Sequence, residues 1–143
     1  MSADRAREFL DTNILVYAYD SSAGEKHGNA VGLLTKLVME GSAVLSIQVL
    51  QELFVVLTRK LPKPLSLNHA ASTIGDLTAL PVHAPQASDV LAAVEVQRRL
   101  RLSFWDAMII QSASQLSCRV IWSEGFAAGR RYDGIEMRNP FVR

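Results

Sequence analysis

Three carboxylates stand where acidic side chains could act together: Asp11, Glu52 and Asp106. Asp11 follows the apolar pair Phe9-Leu10 and precedes Thr12-Asn13. It is therefore expected to end a strand, beside a helix N-terminus capped by Thr12 or Asn13. Glu52 falls one turn into a helix that begins at the end of a second strand, and Asp106 opens the helix before a fourth strand. Ligands of open α/β sheets bind outside the carboxyl ends of the strands, and in a parallel sheet all three carboxylates share that edge. Packed together there, they repel one another unless a hard cation sits among them. Carboxylate and water ligands suit Mg²⁺ or Mn²⁺, whereas one cysteine and the scattered His27, His69 and His83 do not suit zinc. Such an ion polarises a phosphodiester oxygen and acidifies a water, and a second ion about 3.5 to 4 Å away stabilises the leaving oxygen. The chemistry expected is metal-assisted phosphodiester hydrolysis.

Each carboxylate, taken alone, also has a plainer role. Asp11-Thr12-Asn13 reads as a helix cap. Glu52 reads as an ordinary helix glutamate loosely paired with Arg59. Ser103-Phe104-Trp105-Asp106 has the form of a capping box with Asp in place of Glu, so Asp106 could bond back to the amide of Ser103. Against that, Asp106 shares a helical face with Ile109, Ile110 and Ala113, and an ionised group facing a core needs a partner.

The elements that must position these residues follow from periodicity. After the first strand, a short helix spans Asn13 to Tyr19 and Ala23-Gly24 breaks it. The next helix covers roughly Glu25 to Glu40, with Ala30, Leu33, Leu34, Leu37 and Val38 as its apolar stripe. Ala43 to Ser46 reads as a buried strand. The following helix, Gln48 to about Leu61, stops before Pro62 and Pro64, with Leu50, Leu53, Phe54 and Leu57 inward and Gln48, Glu52 and Arg59 on another face. Ser66 caps a helix to Leu80, Pro81 to Ala84 is a brief strand, and Gln86 to Leu100 is a helix with Val90, Leu91, Val94 and Gln97 inward. A buried helix runs from Ser103 to about Ser117 and a strand from Arg119 to Trp122. Ser123 to Gly134 is expected as a loop, and Ile135 to Arg138 as an edge strand closed by Pro140. The alternation implies a three-layer α/β/α sandwich on a mainly parallel sheet.

At 143 residues, 49% hydrophobic, the chain suits a single domain with one core. The net charge of +1 does not announce a nucleic-acid binder. Its basic residues are clustered, however: Arg59, Lys60 and Lys63; Arg98, Arg99 and Arg101; Arg130 and Arg131. Such clusters suit a polyanion or form solvated faces. Cys118 is the single cysteine, so no internal disulfide forms and a reducing compartment fits best. The opening MSADRARE lacks the apolar run of a signal peptide, and no stretch reaches the length of a membrane span. These features point to a cytoplasmic protein. Two other acidic-cluster classes lack support: a receiver domain wants an acidic pair after the first strand, and a haloacid-type phosphatase wants Asp-x-Asp there.

The runs Phe9 to Asn13 (FLDTN), Ser46 to Phe54 (SIQVLQELF), Leu102 to Ile110 (LSFWDAMII), Ile121 to Glu124 (IWSE) and Tyr132 to Phe141 (YDGIEMRNPF), in this order, resemble the PIN-domain family, especially its VapC-type toxins. The resemblance implies a PIN-like sandwich and a Mg²⁺- or Mn²⁺-dependent endoribonuclease. It also implies a homodimer, for which the helices around Leu50 to Leu61 and Ser66 to Leu80 offer apolar faces. A small antitoxin that inserts a helix and an arginine or similar side chain into the site would neutralise it. Asp11, Glu52 and Asp106 match the family's first three acidic positions, Glu52 reaching the ion directly or through water. Thr12, Asn13 and Ser103 match the polar support around them. At the fourth position the chain departs: relatives read Ser/Thr-Glu-Asp, whereas here Ser123-Glu124 is followed by Gly125. Glu124 swinging in, or Ser123 holding a water, would compensate; Ser-Glu-Gly also reads as a simple turn. The alternative expectation is a degenerate RNA- or protein-binding module with weak or no catalysis.

Overall fold

Phe9, Leu10, Val44, Leu45, Val120 and Ile121 are all at most 1% exposed. Strands so apolar on both faces belong in the middle of a sheet covered on both sides. In a computed structural model that describes residues 6–142, the strands form one six-stranded sheet in the order β3-β2-β1-β4-β6-β5. They are β1 (Arg7–Leu10), β2 (Ala43–Ser46), β3 (Val82–His83), β4 (Cys118–Trp122), β5 (Arg131–Tyr132) and β6 (Ile135–Arg138). All pairs are parallel except β5 with β6. The opening residues 1–5, part of the stretch read for a leader, lie outside the described residues.

Among the described residues six α-helices, with a 3-10 turn at Ser21–Ala23, connect the strands: α1 (Thr12–Tyr19), α2 (Glu25–Glu40), α3 (Ile47–Arg59), α4 (Leu67–Leu77), α5 (Ala87–Leu100) and α6 (Phe104–Gln115). The crossovers from β1 to β2 and from β2 to β3 step outward in one direction. The crossover from β3 through α5 and α6 then returns past β1 to place β4 on its other side. With right-handed crossovers, this reversal puts α5 and α6 on the face opposite α1 to α4. The packing agrees, since α1 meets α2 and α3, α3 meets α4, and α5 lies along α6. The fold is thus the expected three-layer α/β/α sandwich, and the point where the strand order reverses, between β1 and β4, is the crevice in which such sheets bind ligands.

Several local expectations are corrected. Strand β1 ends at Leu10, and Asp11 itself, not Thr12 or Asn13, caps α1. The inward face of α5 is Asp89, Ala93 and Val96, while Val90, Leu91 and Val94 are 42%, 71% and 40% exposed. The cause is Asp89, which is buried because it closes a capping box with Gln86 and accepts a hydrogen bond from Gln111 at 3.0 Å. That rotates the valines outward. In α2 the stripe stops at Leu37, and Val38 is 45% exposed. The stretch from Ser123 to Gly134 is not all loop: β5 pairs antiparallel with β6, so β6 lies inside the sheet and β5 forms the edge. Cys118 opens β4 as a buried residue, and burial pushes its thiol up to about 12. Among the described residues no helix is long and apolar enough to cross a membrane.

Candidate active site

The two strands that flank the reversal deliver the first two site residues. Asp11 leaves β1 in extended conformation (φ −74°, ψ 163°), the geometry of an N-cap, and its amide bonds the carbonyl of Trp122 at 3.0 Å. Its carboxylate accepts the Thr12 amide at 2.8 Å and the Ser123 hydroxyl at 2.7 Å. Ser123 is 1% exposed and follows β4, its own amide bonded to the carbonyl of Arg138 on β6 at 2.9 Å. The ends of β1, β4 and β6 are therefore stitched together around one acidic side chain.

The other carboxylates arrive on helices. Ser46 at the end of β2 caps α3, accepting the Val49 amide, so Glu52 stands one turn in. The Thr12 hydroxyl donates to Glu52 at 2.8 Å, joining α1 to α3. The suggested Arg59 partner is not used. Ser103 caps α6 by accepting the Asp106 amide at 3.1 Å, but the Asp106 carboxylate does not return the bond, so only half of the capping box forms. Among the described residues the Asp106 carboxylate has no hydrogen-bond partner and faces the cavity. Asp11, Glu52 and Asp106 line one cavity of about 650 Å³. Among the described residues, no three His, Cys, Asp or Glu side chains are close enough to form a ready-made ligand cluster. The carboxylates share a chamber without closing on a point.

Their electrostatics nevertheless couple. Burial pushes the Asp11 carboxyl up from 3.8 to about 6; hydrogen bonds from Ser123 and Thr12 oppose the rise, and the charges of Glu52 and Asp106 add to it. Glu124 behaves differently. Burial acts to raise its carboxyl, but hydrogen bonds from Lys26 and Tyr17, together with the lysine charge, outweigh burial and hold it below the usual range. Tyr17 donates to Glu124 at 2.8 Å, and Lys26 pairs with the other oxygen. Lys26 also sits over the rings of Tyr17 and Phe141 at 4.9 and 5.5 Å. In this structure the Glu124 side chain is engaged by Tyr17 and Lys26 and is not among the residues that line the carboxylate cavity.

Asn13, which lines the cavity, and Gly125 beside Ser123 complete the hydrogen bonding around Asp11. Asn13 accepts the Glu124 amide at 3.1 Å, and the Gly125 amide donates to Ser123 at 2.9 Å. Sequence reasoning missed the roles of Tyr17, Lys26, Gln48 and Trp105. Gln48, expected on the same face as Glu52 and Arg59 and away from the core stripe, is buried, and with the exposed Trp105 it lines the carboxylate cavity. Of the basic clusters, Arg98 and Arg99 pair with Glu95 and Asp133, as solvated faces do, whereas Lys60 lines the cavity.

Solved structures share this architecture at low identity. VapC20 of Mycobacterium tuberculosis, described as a toxin that cleaves the sarcin-ricin loop, is 20% identical over 80% of this chain and 86% of its own, with a TM-score of 0.60. VapBC2 of Rickettsia felis, solved with a DNA fragment from its promoter, is 19% identical over 92% of this chain and 97% of the other, at 0.66. DNA-bound VapBC of Salmonella typhimurium is 15% identical over 94% and 98%, at 0.67. No curated protein is close enough in sequence to match. The PIN domain profile matches residues 9–128. That span runs from the strand that leads into Asp11, past Glu52 and Asp106, to the loop after Gly125, and the chain belongs to the PIN-domain family.

Proposed function

We propose that this protein is a Mg²⁺- or Mn²⁺-dependent endoribonuclease, the toxin of a type II toxin–antitoxin pair, acting in the cytoplasm as a homodimer and neutralised by a cognate antitoxin. The observation that carries the reading is the shared chamber: three carboxylates from three distant segments line one cavity at the reversal point of the sheet. The pairing of VapC-like structural neighbours with antitoxins supports the partner assignment.

The donors fit a hydrated ion better than a caged one. Mg²⁺ keeps several waters and is commonly held by one or two carboxylates, which suits a site whose acidic groups share a cavity without forming a tight cluster. Asp11 and Asp106 would hold the ion, and Glu52, already engaged by Thr12, would reach it through water. When bound, the ion supplies Lewis acidity at the phosphodiester and a water acidified toward neutrality. The chain's own residues do the positioning. Ser123 and Thr12 fix the Asp11 carboxylate and favour its ionised form, Asn13 ties α1 to the loop after β4, and Ser103 anchors the helix that presents Asp106.

The test is cleavage of a defined RNA with and without Mg²⁺ or Mn²⁺, alongside the Asp11→Asn variant. Cleavage that requires the ion and disappears in the variant is expected; cleavage that survives both chelation and substitution refutes the assignment. A second reading rests on Gly125 and on the capture of Glu124: with no fourth carboxylate, the same fold could retain RNA or a protein without turnover. Gly125→Asp separates the two, since activity gained by restoring that side chain favours a nuclease weakened at one ligand.

A further inference from the structure

Trp105 precedes Asp106 in the first turn of α6, and it is 62% exposed. Its indole lines the same cavity as the three carboxylates, and Phe104 meets it edge-on at 5.1 Å. Behind it lies Gln48, 8% exposed, whose amide nitrogen donates to the Trp105 carbonyl at 3.2 Å. The amide oxygen of Gln48 is the one buried side-chain polar atom without a hydrogen-bond partner among the described residues. A buried acceptor left unpaired is costly, and because Gln48 is among the residues that line the cavity, a small turn of its side chain would offer that shielded oxygen to a ligand donor. Lys60, which ends α3, lines the same cavity, and none of the ion pairs among the described residues includes it.

We propose that Trp105, Gln48 and Lys60 form a nucleotide-positioning subsite, in which a base next to the scissile phosphate stacks on the indole. The inference rests on the ribonuclease reading. A single-stranded nucleotide offers what each group lacks: a flat face for Trp105, an N–H on the base edge for the Gln48 oxygen, and a phosphate for Lys60. The cavity, at about 650 Å³, lies in the range of pockets that hold small ligands. An apolar protein side chain would leave the Gln48 oxygen unpaired and an arginine side chain would be repelled by Lys60, whereas a phosphate neutralises that lysine, so the observations favour RNA. Stacking tolerates any base, which makes Trp105 a determinant of affinity, while the Gln48 acceptor biases base identity.

The test uses the full chain carrying Asp11→Asn, so that RNA is bound and not consumed, with uridine and adenosine octamers as probes in the presence of Mg²⁺. Adding Trp105→Ala is expected to weaken binding about 5- to 150-fold, the range that loss of one base–aromatic stack gives, and Trp105→Phe to retain most of it. Base stacking also quenches the exposed indole of the chain that keeps Trp105. Absence of quenching there overturns the proposal whether or not the alanine variant folds. Unchanged affinity in the alanine variant overturns it too. If that variant binds RNA normally but sediments as a different oligomer, Trp105 is a contact between copies and the subsite is rejected. The two readings fail separately: RNA bound through Trp105 but never cut by the unsubstituted chain refutes the ribonuclease, whereas RNA cut with a KM indifferent to Trp105 refutes only the subsite.

Discussion

Asp11→Asn should make the protein more stable while destroying its activity, and the size and pH dependence of that gain follow from the site. The folded protein holds the Asp11 carboxyl at about 6, against 3.8 ordinarily, mainly because burial disfavours the ionised form. The sign is fixed by which state binds the proton more tightly. Below about 3.8 both folded and unfolded chains are protonated at Asp11 and no cost arises. Between 3.8 and about 6 the folded chain keeps a proton that the unfolded chain has released, so stability falls as pH rises. Above about 6 both are ionised and the full cost remains, about 3 kcal/mol at about 1.4 kcal/mol per tenfold change in proton affinity. The cavity admits water, which makes that figure an upper bound.

Asparagine carries no such charge, but it cannot accept from both Thr12 and Ser123 as the carboxylate does. One compromised bond costs about 1 kcal/mol, which leaves a net gain of about 1–2 kcal/mol at pH 7.5 and, where the charge no longer costs anything near pH 4, a net loss of up to about 1 kcal/mol from that bond alone. Urea unfolding of both chains from pH 4 to 8 in EDTA measures the difference directly. Mg²⁺ provides the second arm. An ion that binds the ionised Asp11 recovers stability in the unsubstituted chain at pH 7.5 and does little for the variant. Parallel pH profiles for the two chains would refute the electrostatic reasoning, and an equal Mg²⁺ response would refute Asp11 as a ligand.

Three further substitutions probe the supports. Gly125→Asp should fold normally, because Gly125 has no left-handed φ and an added Cβ meets only the Ser123 Oγ at 3.6 Å and the Asn13 Nδ2 at 3.8 Å; isothermal titration should then register Mg²⁺ binding at least about tenfold tighter, or about 1.4 kcal/mol. Ser123→Ala removes a bond that favours the ionised Asp11, so the acidic limb of the pH–rate profile should move to higher pH, with about 1–3 kcal/mol of stability lost from a buried hydroxyl that serves two partners. Thr12→Val frees Glu52 from α1 and should lower kcat about tenfold while thermal stability changes by under about 1 kcal/mol, since the bond lies at the surface.

How much of this was legible in the sequence depends on how far apart the interacting residues lie. Phe9-Leu10 ahead of Asp11 announced a buried strand ending at a carboxylate because strand burial and helix capping are local. The sheet edge shared by Asp11, Glu52 and Asp106 followed from topology alone. The bond from Thr12 to Glu52 spans forty positions, and the capture of Glu124 by Tyr17 and Lys26 spans about a hundred, so no periodicity carries them. The inward face of α5 was misjudged because hydrophobic patterning treats every aspartate as exposed, and Asp89 is buried by hydrogen bonds from Gln86 and Gln111. Strand β5, two residues long, is too short to display an alternation.

The same long-range bonds hold the loop after β4 in one form beside the carboxylates, although Gly125 brings no side chain to it. Ser123 is committed to Asp11, Asn13 accepts the Glu124 amide, and Lys26 with Tyr17 holds the Glu124 side chain, which fixes Gly125 beside Ser123 and Asn13. A glycine there, in place of the aspartate that the family resemblance implies, leaves one like charge fewer in a cluster in which Glu52 and Asp106 already raise the Asp11 carboxyl. With a fourth carboxylate and no ion, that repulsion would grow, so its absence favours stability of the metal-free protein at the expense of ion affinity. Gly125 and Asp11 therefore pull in opposite directions on one quantity, the free energy of gathering negative charge at the β1–β4 crevice.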